Sequence, residues 1–477
     1  MTTDLPLHRW SARALASGVA SREVSAVDVM RAHLARIEEF ESRVAAFVSL
    51  LPESEALAMA READRAVAAG EHLGPLHGLP TGVKDLIDVA GLPTSHGSAA
   101  YADAAPAATD SVLAESLRRA GALIIGKTNT PEVGLGTLTF NPIRGVCRNP
   151  WDLSRHAGGS SGGAGAALAA GMLPIADGSD SGGSIRYPAS LCNIVGLRPT
   201  PGTVPSGRLG NGWDPHGVLG PMARNSRDAA LMLSGIAGRD PRAPLSWVED
   251  VEELQVEGPL DPRGLRLGWS PDVGGLPIDA EVRGVLRRAR TALEAAGVTV
   301  VDIEPDLAGA DECWEVIELF NFGADGAARF AEGRSGFRED YLRNVREGRA
   351  LTADAYADAL AQRTQLFRRT AAVLDEVDAI VYPATPVPAP PAEVEWVHEI
   401  DGVSFDRYFL WQRAACRITV TGHPVLATPA GFTSTGLPVG MQLVGPSRGD
   451  ARLLRLGATV EDVLGLVDAE PTGLRAV

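Results

Sequence analysis

Lysine is almost missing from this chain of 477 residues. Of its 44 basic residues only Lys84 and Lys127 are lysine, and all the others are arginine. For solvated charge the two types are nearly exchangeable. A lysine kept in an arginine-rich chain therefore marks a place where a deprotonable amine or a compact ammonium is useful, the plain alternative being chance retention. Cysteine is also scarce: Cys147, Cys192, Cys313 and Cys416 lie far apart and form no CxxC. That argues against a disulfide framework or a zinc cluster and fits a reducing compartment. The nine histidines contain no HExxH pair. No apolar run approaches the roughly 18 residues of a spanning helix. The start, MTTDLPLHRW, has neither the charged beginning nor the apolar run of a secretory signal. A cytoplasmic protein away from membranes is expected. The formal net charge of −16 argues against nucleic acid and against anionic lipid as partners.

What is present reads as α/β. SAVDVMRAHLARIEEF has a serine N-cap, Ser25, with Asp28 three residues on, and SEALAMAREADRAVAAG is a second helix closed by Gly70. The first 70 residues read as helices. From Leu76 onward short apolar runs alternate with glycine-rich loops and with helices near 112–119 and 162–170. LRLGWSPD, a helix over 280–296 and VTVVDIEP form a β-α-β unit. A helix over 352–374 leads into the buried strand DAIVYPATP, and the C-terminal section reads strand, strand, helix. With no repeat, low-complexity tract or evident linker, the expectation is one domain over residues 1–477. Its core would be a single large mixed twisted sheet covered by helices on both faces.

GALIIGKT, from Gly121 to Thr128, fits the phosphate-binding pattern G-x-x-x-x-G-K-[ST] letter for letter. Its context does not fit. A working phosphate loop follows a strand, opens a helix and turns its amides inward, whereas Ala-Leu-Ile-Ile prefers an extended chain. A helix precedes Gly121, and Pro131 leaves little room for one after it. The match is read as accidental.

Chemistry concentrates in HAGGSSGGAGAALAAGMLPIADGSDSGGSIRYPASLCNIVGLRPT, residues 156–200, where two serine-bearing glycine turns bracket a helix and a short strand. The successive amides of Ser181, Gly182, Gly183 and Ser184 could converge on an oxyanion, with Ser184 as the attacking nucleophile. A serine needs a base. His156 is the nearest histidine, but there is no GxSxG elbow and no spacing that suggests a Ser-His-Asp set. The other base on offer is Lys84, placed in the apolar run LPTGVKDLIDVAG, where burial would favour its neutral form.

The blocks GGSSGG, DSGGSIRYPA and VGLRPT, with GLPTGVKDLIDVAG, GKTNTPE, NPWD and the tail TGHPVLATPAGFTSTGLPVGMQLVG, resemble the amidase signature family in order and spacing over nearly the whole chain. The resemblance implies a Ser–cis-Ser–Lys triad of Lys84, Ser160 and Ser184, with a cis peptide bond before Ser160. It implies a signature core at about 76–205 and a variable substrate region at about 206–420. It also implies hydrolysis of a carboxamide or a related C–N bond, as in an anilide or carbamate, through an acyl-enzyme on Ser184 and with no metal or cofactor. Ser161 is read first as a helix N-cap, and Asp180 and Arg186 as braces of the oxyanion turn. Lys127 and Asn129 are read as structural. Gly134 falls where relatives place acyl-pocket residues, and a turn is the equal alternative. Substrate loops are expected around 137–148, 208–218, 310–347 and 396–411, with Trp314, Phe320, Phe322, Trp396, Tyr408 and Trp411 as aromatic candidates or as core. Two departures stand out: Asn193 replaces the first glycine of the family's GxxGLKPT element, and Arg198 its lysine. The expected partner is a small amide or carbamate, with a homodimer left open. The alternative function is that of the glutamine-hydrolysing chain of a tRNA-dependent amidotransferase, which would need partner chains.

Overall fold

A computed structural model describes residues 5–71, 73–207, 211–248, 251–254 and 258–475. Eleven strands form one sheet: β1 (Phe47–Leu50), β2 (Pro80–Lys84), β3 (Leu123–Thr128), β4 (Ile175–Asp180), β5 (Val195–Arg198), β6 (Val218–Ala223), β7 (Arg266–Trp269), β8 (Thr299–Asp302), β9 (Ala379–Pro383), β10 (Val425–Phe432) and β11 (Pro438–Val444). Their spatial order is β1-β3-β2-β4-β6-β5-β10-β11-β9-β7-β8. The sheet is mixed: β2 runs parallel to both β3 and β4, whereas β6 runs antiparallel to β4 and β10 antiparallel to β11. Every residue of β2, β5, β6, β9 and β11 is buried. Consecutive burial of this kind requires cover on both faces, which the helices provide. The outermost strand β8 instead reads exposed, half-buried, half-buried, exposed.

Local signals work as expected. Ser25 Oγ accepts from Asp28 N at the start of Ala26–Val44, and Gly70, with φ +71°, closes Glu53–Ala69. Strands β7 and β8 pair in parallel around the helix Ala280–Ala295. GALIIGKT becomes the end of a turn at Gly121 followed by β3, an extended strand in the sheet. Two expectations are corrected. The first 70 residues are not all helical, because the four residues Phe-Val-Ser-Leu form the edge strand β1, paired with β3. Such a short run has no periodicity of its own and is recruited by a partner more than 70 residues later. Residues 310–347 are not loop but helix over most of their length, in Ala310–Ala331 and Glu339–Ala350. These pack with Ala353–Leu374 over a second apolar cluster that includes Trp314, Ile317, Tyr341, Tyr382 and Phe409. Residues 208–210 of the expected loop 208–218 lie outside the described residues. No helix among the described residues is long and apolar enough to cross a membrane.

Candidate active site

The site forms where β2 and β4, adjacent and parallel, end at Lys84 and Asp180. Carboxyl ends of parallel strands are the usual place for a ligand in an α/β sheet. Lys84 is fully buried, and its Nζ lies 2.7 Å from Ser160 Oγ, 2.9 Å from Ser161 Oγ and 2.9 Å from Ser179 Oγ. Burial pushes its pKa from 10.5 down to about 7, against the pull of the Asp177 and Asp180 carboxylates. A neutral amine can donate to two of these hydroxyls and accept from the third.

Ser160 follows a cis Gly159–Ser160 peptide bond. Ser161 N donates to Ser184 O at 3.0 Å, which ties the two serine turns together. Ser184 is mostly buried, and among the described residues no hydrogen bond joins its hydroxyl to that of Ser160. Ser161 stands at the N-cap position of Gly162–Ala169, yet its side chain caps nothing; it faces Lys84 and also accepts from Ser179 N at 3.3 Å. The N-cap reading is thereby corrected: the buried amine of Lys84 draws the hydroxyl inward.

Asp180 and Arg186 brace the turn. Arg186 Nε and Nη2 donate to the two Asp180 oxygens at 3.0 and 2.9 Å, with both side chains fully buried. Burial alone would raise the Asp180 pKa, but Arg186 and Arg198 hold it well below the usual range. The same carboxylate accepts from Gly183 N at 2.9 Å and Ile185 N at 3.2 Å. The expected group of four oxyanion donors is therefore corrected: the Gly183 amide is committed to Asp180. Those of Ser181, Gly182 and Ser184 have no acceptor among the described residues. Gly183 has φ +107°, and a Cβ there would lie 2.6 Å from Ala415 Cβ, so the position admits only glycine.

Several contributors escape the sequence reading. Ser179 and Asp177 project from the same face of β4 as alternate residues, and Asp177 Oδ1 accepts from Lys84 N at 2.9 Å. The Ala310–Ala331 helix places Trp314 and Glu318 one turn apart over the Ser181–Ser184 turn. Trp314 Nε1 donates to Ser181 O at 2.7 Å, and Ser181 Oγ donates to Glu318 Oε1 at 3.1 Å. Nothing local in the sequence links residues 133 and 137 positions apart; alternation on β4 is the one signal that could have found Ser179.

Other candidates fall into place. His156 is buried, donates to Val394 O at 2.8 Å through Nε2, and makes no hydrogen bond to either serine; burial lowers its pKa to about 4. Lys127 pairs with Asp85 at 3.2 Å and Thr94 at 2.9 Å, fully buried, and Asn129 bonds Ala45 O. Gly134 lies in a turn with φ +78°, and a Cβ there would stand 3.6 Å from Ser160 Oγ; turn and site border coincide. Asn193 carries φ +55° at the end of Arg186–Cys192, a left-handed position that asparagine tolerates in place of glycine. Arg198 does reach the site, donating to the Asp180 carbonyl and to His216 O. Leu138, Phe140, Trp396, Tyr408 and Trp411 line a crevice where the expected loops 137–148 and 396–411 meet. Phe320 stacks on Tyr356 instead. Among the described residues no group of histidine, cysteine and carboxylate side chains is arranged to hold a metal.

A family model described as amidase matches residues 28–454. The chain is 37% identical over 476 residues to an acylamidase of Rhodococcus erythropolis, covering 98% of each. It is 35% identical over 500 residues to the A chain of the glutamyl-tRNA(Gln) amidotransferase of Chloroflexus aggregans, covering 98% of this chain and 99% of that one. A bacterial aryl acylamidase of the amidase signature family superposes with a TM-score of 0.91 at 26% identity, over 99% of this chain and 100% of the other. With a family model spanning most of its length and relatives matched end to end, the chain belongs to the amidase signature family and is an enzyme that hydrolyses carbon–nitrogen bonds.

Proposed function

We propose that this amidase works without partner chains, hydrolysing a small carboxamide, anilide or carbamate through an acyl-enzyme on Ser184. The observation that carries the reading is the 2.7 Å approach of a fully buried Lys84 Nζ to Ser160 Oγ. In this reading neutral Lys84 takes the proton of Ser160 as Ser160 takes that of Ser184, whose oxygen attacks the carbonyl carbon. The amides of Ser181, Gly182 and Ser184 receive the oxyanion. On collapse the C–N bond breaks, Ser160 protonates the departing nitrogen, and Lys84 returns a proton to Ser160. Water then enters by the same relay and releases the acid. Relay steps of this kind are worth about 10²–10⁴-fold. The step from Ser184 requires its hydroxyl to turn onto Ser160, and the 3.0 Å bond between Ser161 N and Ser184 O, which ties the two segments together, supports this.

Likeness to an acylamidase and to an aryl acylamidase favours an acyl amide carrying an apolar or aryl group. Purified enzyme should hydrolyse an acyl anilide unaided; no turnover of anilides, simple amides or carbamates would overturn the reading. A second reading, glutamine hydrolysis within a tRNA-dependent amidotransferase, is favoured by the 35% identity to the A chain of such an enzyme. Glutaminase activity that appears only with partner chains would establish it.

A further inference from the structure

Asp180 clamps the Ser181–Ser184 turn and Glu318 accepts from Ser181, whereas Asp177 has no task in the site described above. It is fully buried on β4, and Oδ1 is taken by the backbone N–H of Lys84. Oδ2 has no hydrogen-bond partner and touches no solvent. A buried carboxylate oxygen left without donors is uncommon, because it forfeits the hydrogen bonds that water would give it. Burial pushes the Asp177 pKa up from 3.8 to about 6, against the hydrogen bond from Lys84 N–H and the charges of Lys84 on β2 and Lys127 on β3, so the carboxyl is ionised at the pH where Lys84 is neutral. These two are the only lysines in the chain. Of the neighbouring carboxylates, Asp85 pairs with Lys127, and Asp180, which also acts on Lys84, is held by Arg186 and Arg198.

We propose that Asp177 is a positioning residue for the amidase reaction: its unspent carboxylate stabilises the Lys84 ammonium formed when the lysine receives the proton of Ser160. The inference rests on the reading of Lys84 as the base. A lysine buried among hydroxyls alone would be neutral but a poor acceptor, since the cation it becomes would be unsupported. A carboxylate already held by the lysine's own main-chain N–H at 2.9 Å supplies a counter-charge without reorganisation. The opposing effects are visible in Lys84 itself, where burial pulls its pKa down and Asp177 heads the groups that pull it up.

The scarcity of lysine makes the test direct. Protein labelled with [13Cε]lysine has two lysine signals, and the one missing from Lys84→Met belongs to Lys84. Asp177→Asn keeps the acceptor for Lys84 N and removes the charge. The Lys84 signal should then titrate lower by about one pH unit or more. The acid limb of kcat/KM should follow it to lower pH, and the plateau of kcat should fall severalfold as the base weakens. A merely structural Asp177 would leave the Lys84 midpoint where it is in the parent, and that result overturns the proposal. Should the asparagine variant not fold, judged by near-ultraviolet circular dichroism, Asp177→Ser offers a hydroxyl to the same amide and is read in the same way. Turnover by Lys84→Met would sink the reading of Lys84 as base; an unmoved Lys84 signal sinks the role of Asp177 alone.

Discussion

Asp180 and Arg186 face each other through two hydrogen bonds of 2.9 and 3.0 Å, six residues apart in sequence and both sealed from solvent. The carboxylate of this pair also holds the Gly183 and Ile185 amides, so the ion pair is the clamp of the turn that carries Ser184. Arg186→Lys cannot reproduce the planar two-pronged contact. Breaking a buried pair of this kind costs about 3–5 kcal/mol. The variant is expected to unfold at distinctly lower temperature and to lose kcat more than KM, measured by calorimetry and steady-state kinetics on one preparation.

Ser184→Ala should remove turnover and leave the fold intact, since the hydroxyl has no hydrogen-bond partner to lose among the described residues. Lys84→Arg should reduce kcat/KM by about 10²–10⁴-fold despite retaining the charge, because a guanidinium accepts no proton at working pH. Brisk hydrolysis by either variant contradicts the assigned relay.

The depressed pKa of Lys84 has two consequences for pH. Activity needs the free amine, so kcat/KM should rise with pH through an inflection at about 7. For stability the folded protein binds fewer protons here than the unfolded chain between about 7 and 10.5. The burial penalty is therefore complete below the folded value and vanishes above the unfolded one. Lys84→Met is expected to be more stable than the parent at pH 6, with the difference shrinking as pH climbs past 10. Urea melts across that range would check it; a difference independent of pH would contradict a neutral buried lysine.

Glu461 gives the opposite slope. Burial raises its pKa from 4.5 to about 8, although Ser226 donates to it from both backbone and hydroxyl. The favourable state is the protonated one, fully kept below 4.5 and lost as pH rises through 8. Glu461→Gln should match the parent at pH 4 and exceed it in stability at pH 9, read from thermal midpoints.

Gly134 has φ +78°, and a methyl placed there would meet Leu86 at 2.9 Å and face Ser160 Oγ at 3.6 Å. Gly134→Ala should raise KM for bulky acyl groups by about tenfold or more while small amides are affected less. Equal losses for both sizes would place the defect in the backbone rather than in the pocket.

Most helices could be read locally because their signals are local: Ser25 bonds three residues ahead, and Gly70 closes the helix that it follows. The helices over 310–331 and 339–350 were the exception, hidden in what reads as substrate loop. The serine turns and the lone lysine were legible for a different reason, since glycine runs and a lysine among arginines are rare enough to stand out in a string of letters. The edge strand β1 was not legible, and neither was the service of Trp314 and Glu318 to the Ser181 turn. Those depend on partners 70 to 140 positions away along the chain, whose approach is set by sheet order and helix packing. Sequence alone determined which groups are available for chemistry. Only the tertiary structure decided that Gly183 spends its amide on Asp180, that Ser161 turns to Lys84 rather than capping its helix, and that Asp177 keeps one oxygen bare. Each of these is a choice among competing hydrogen-bond partners, and the competition is settled by which groups the folded chain brings within 3 Å or so of one another.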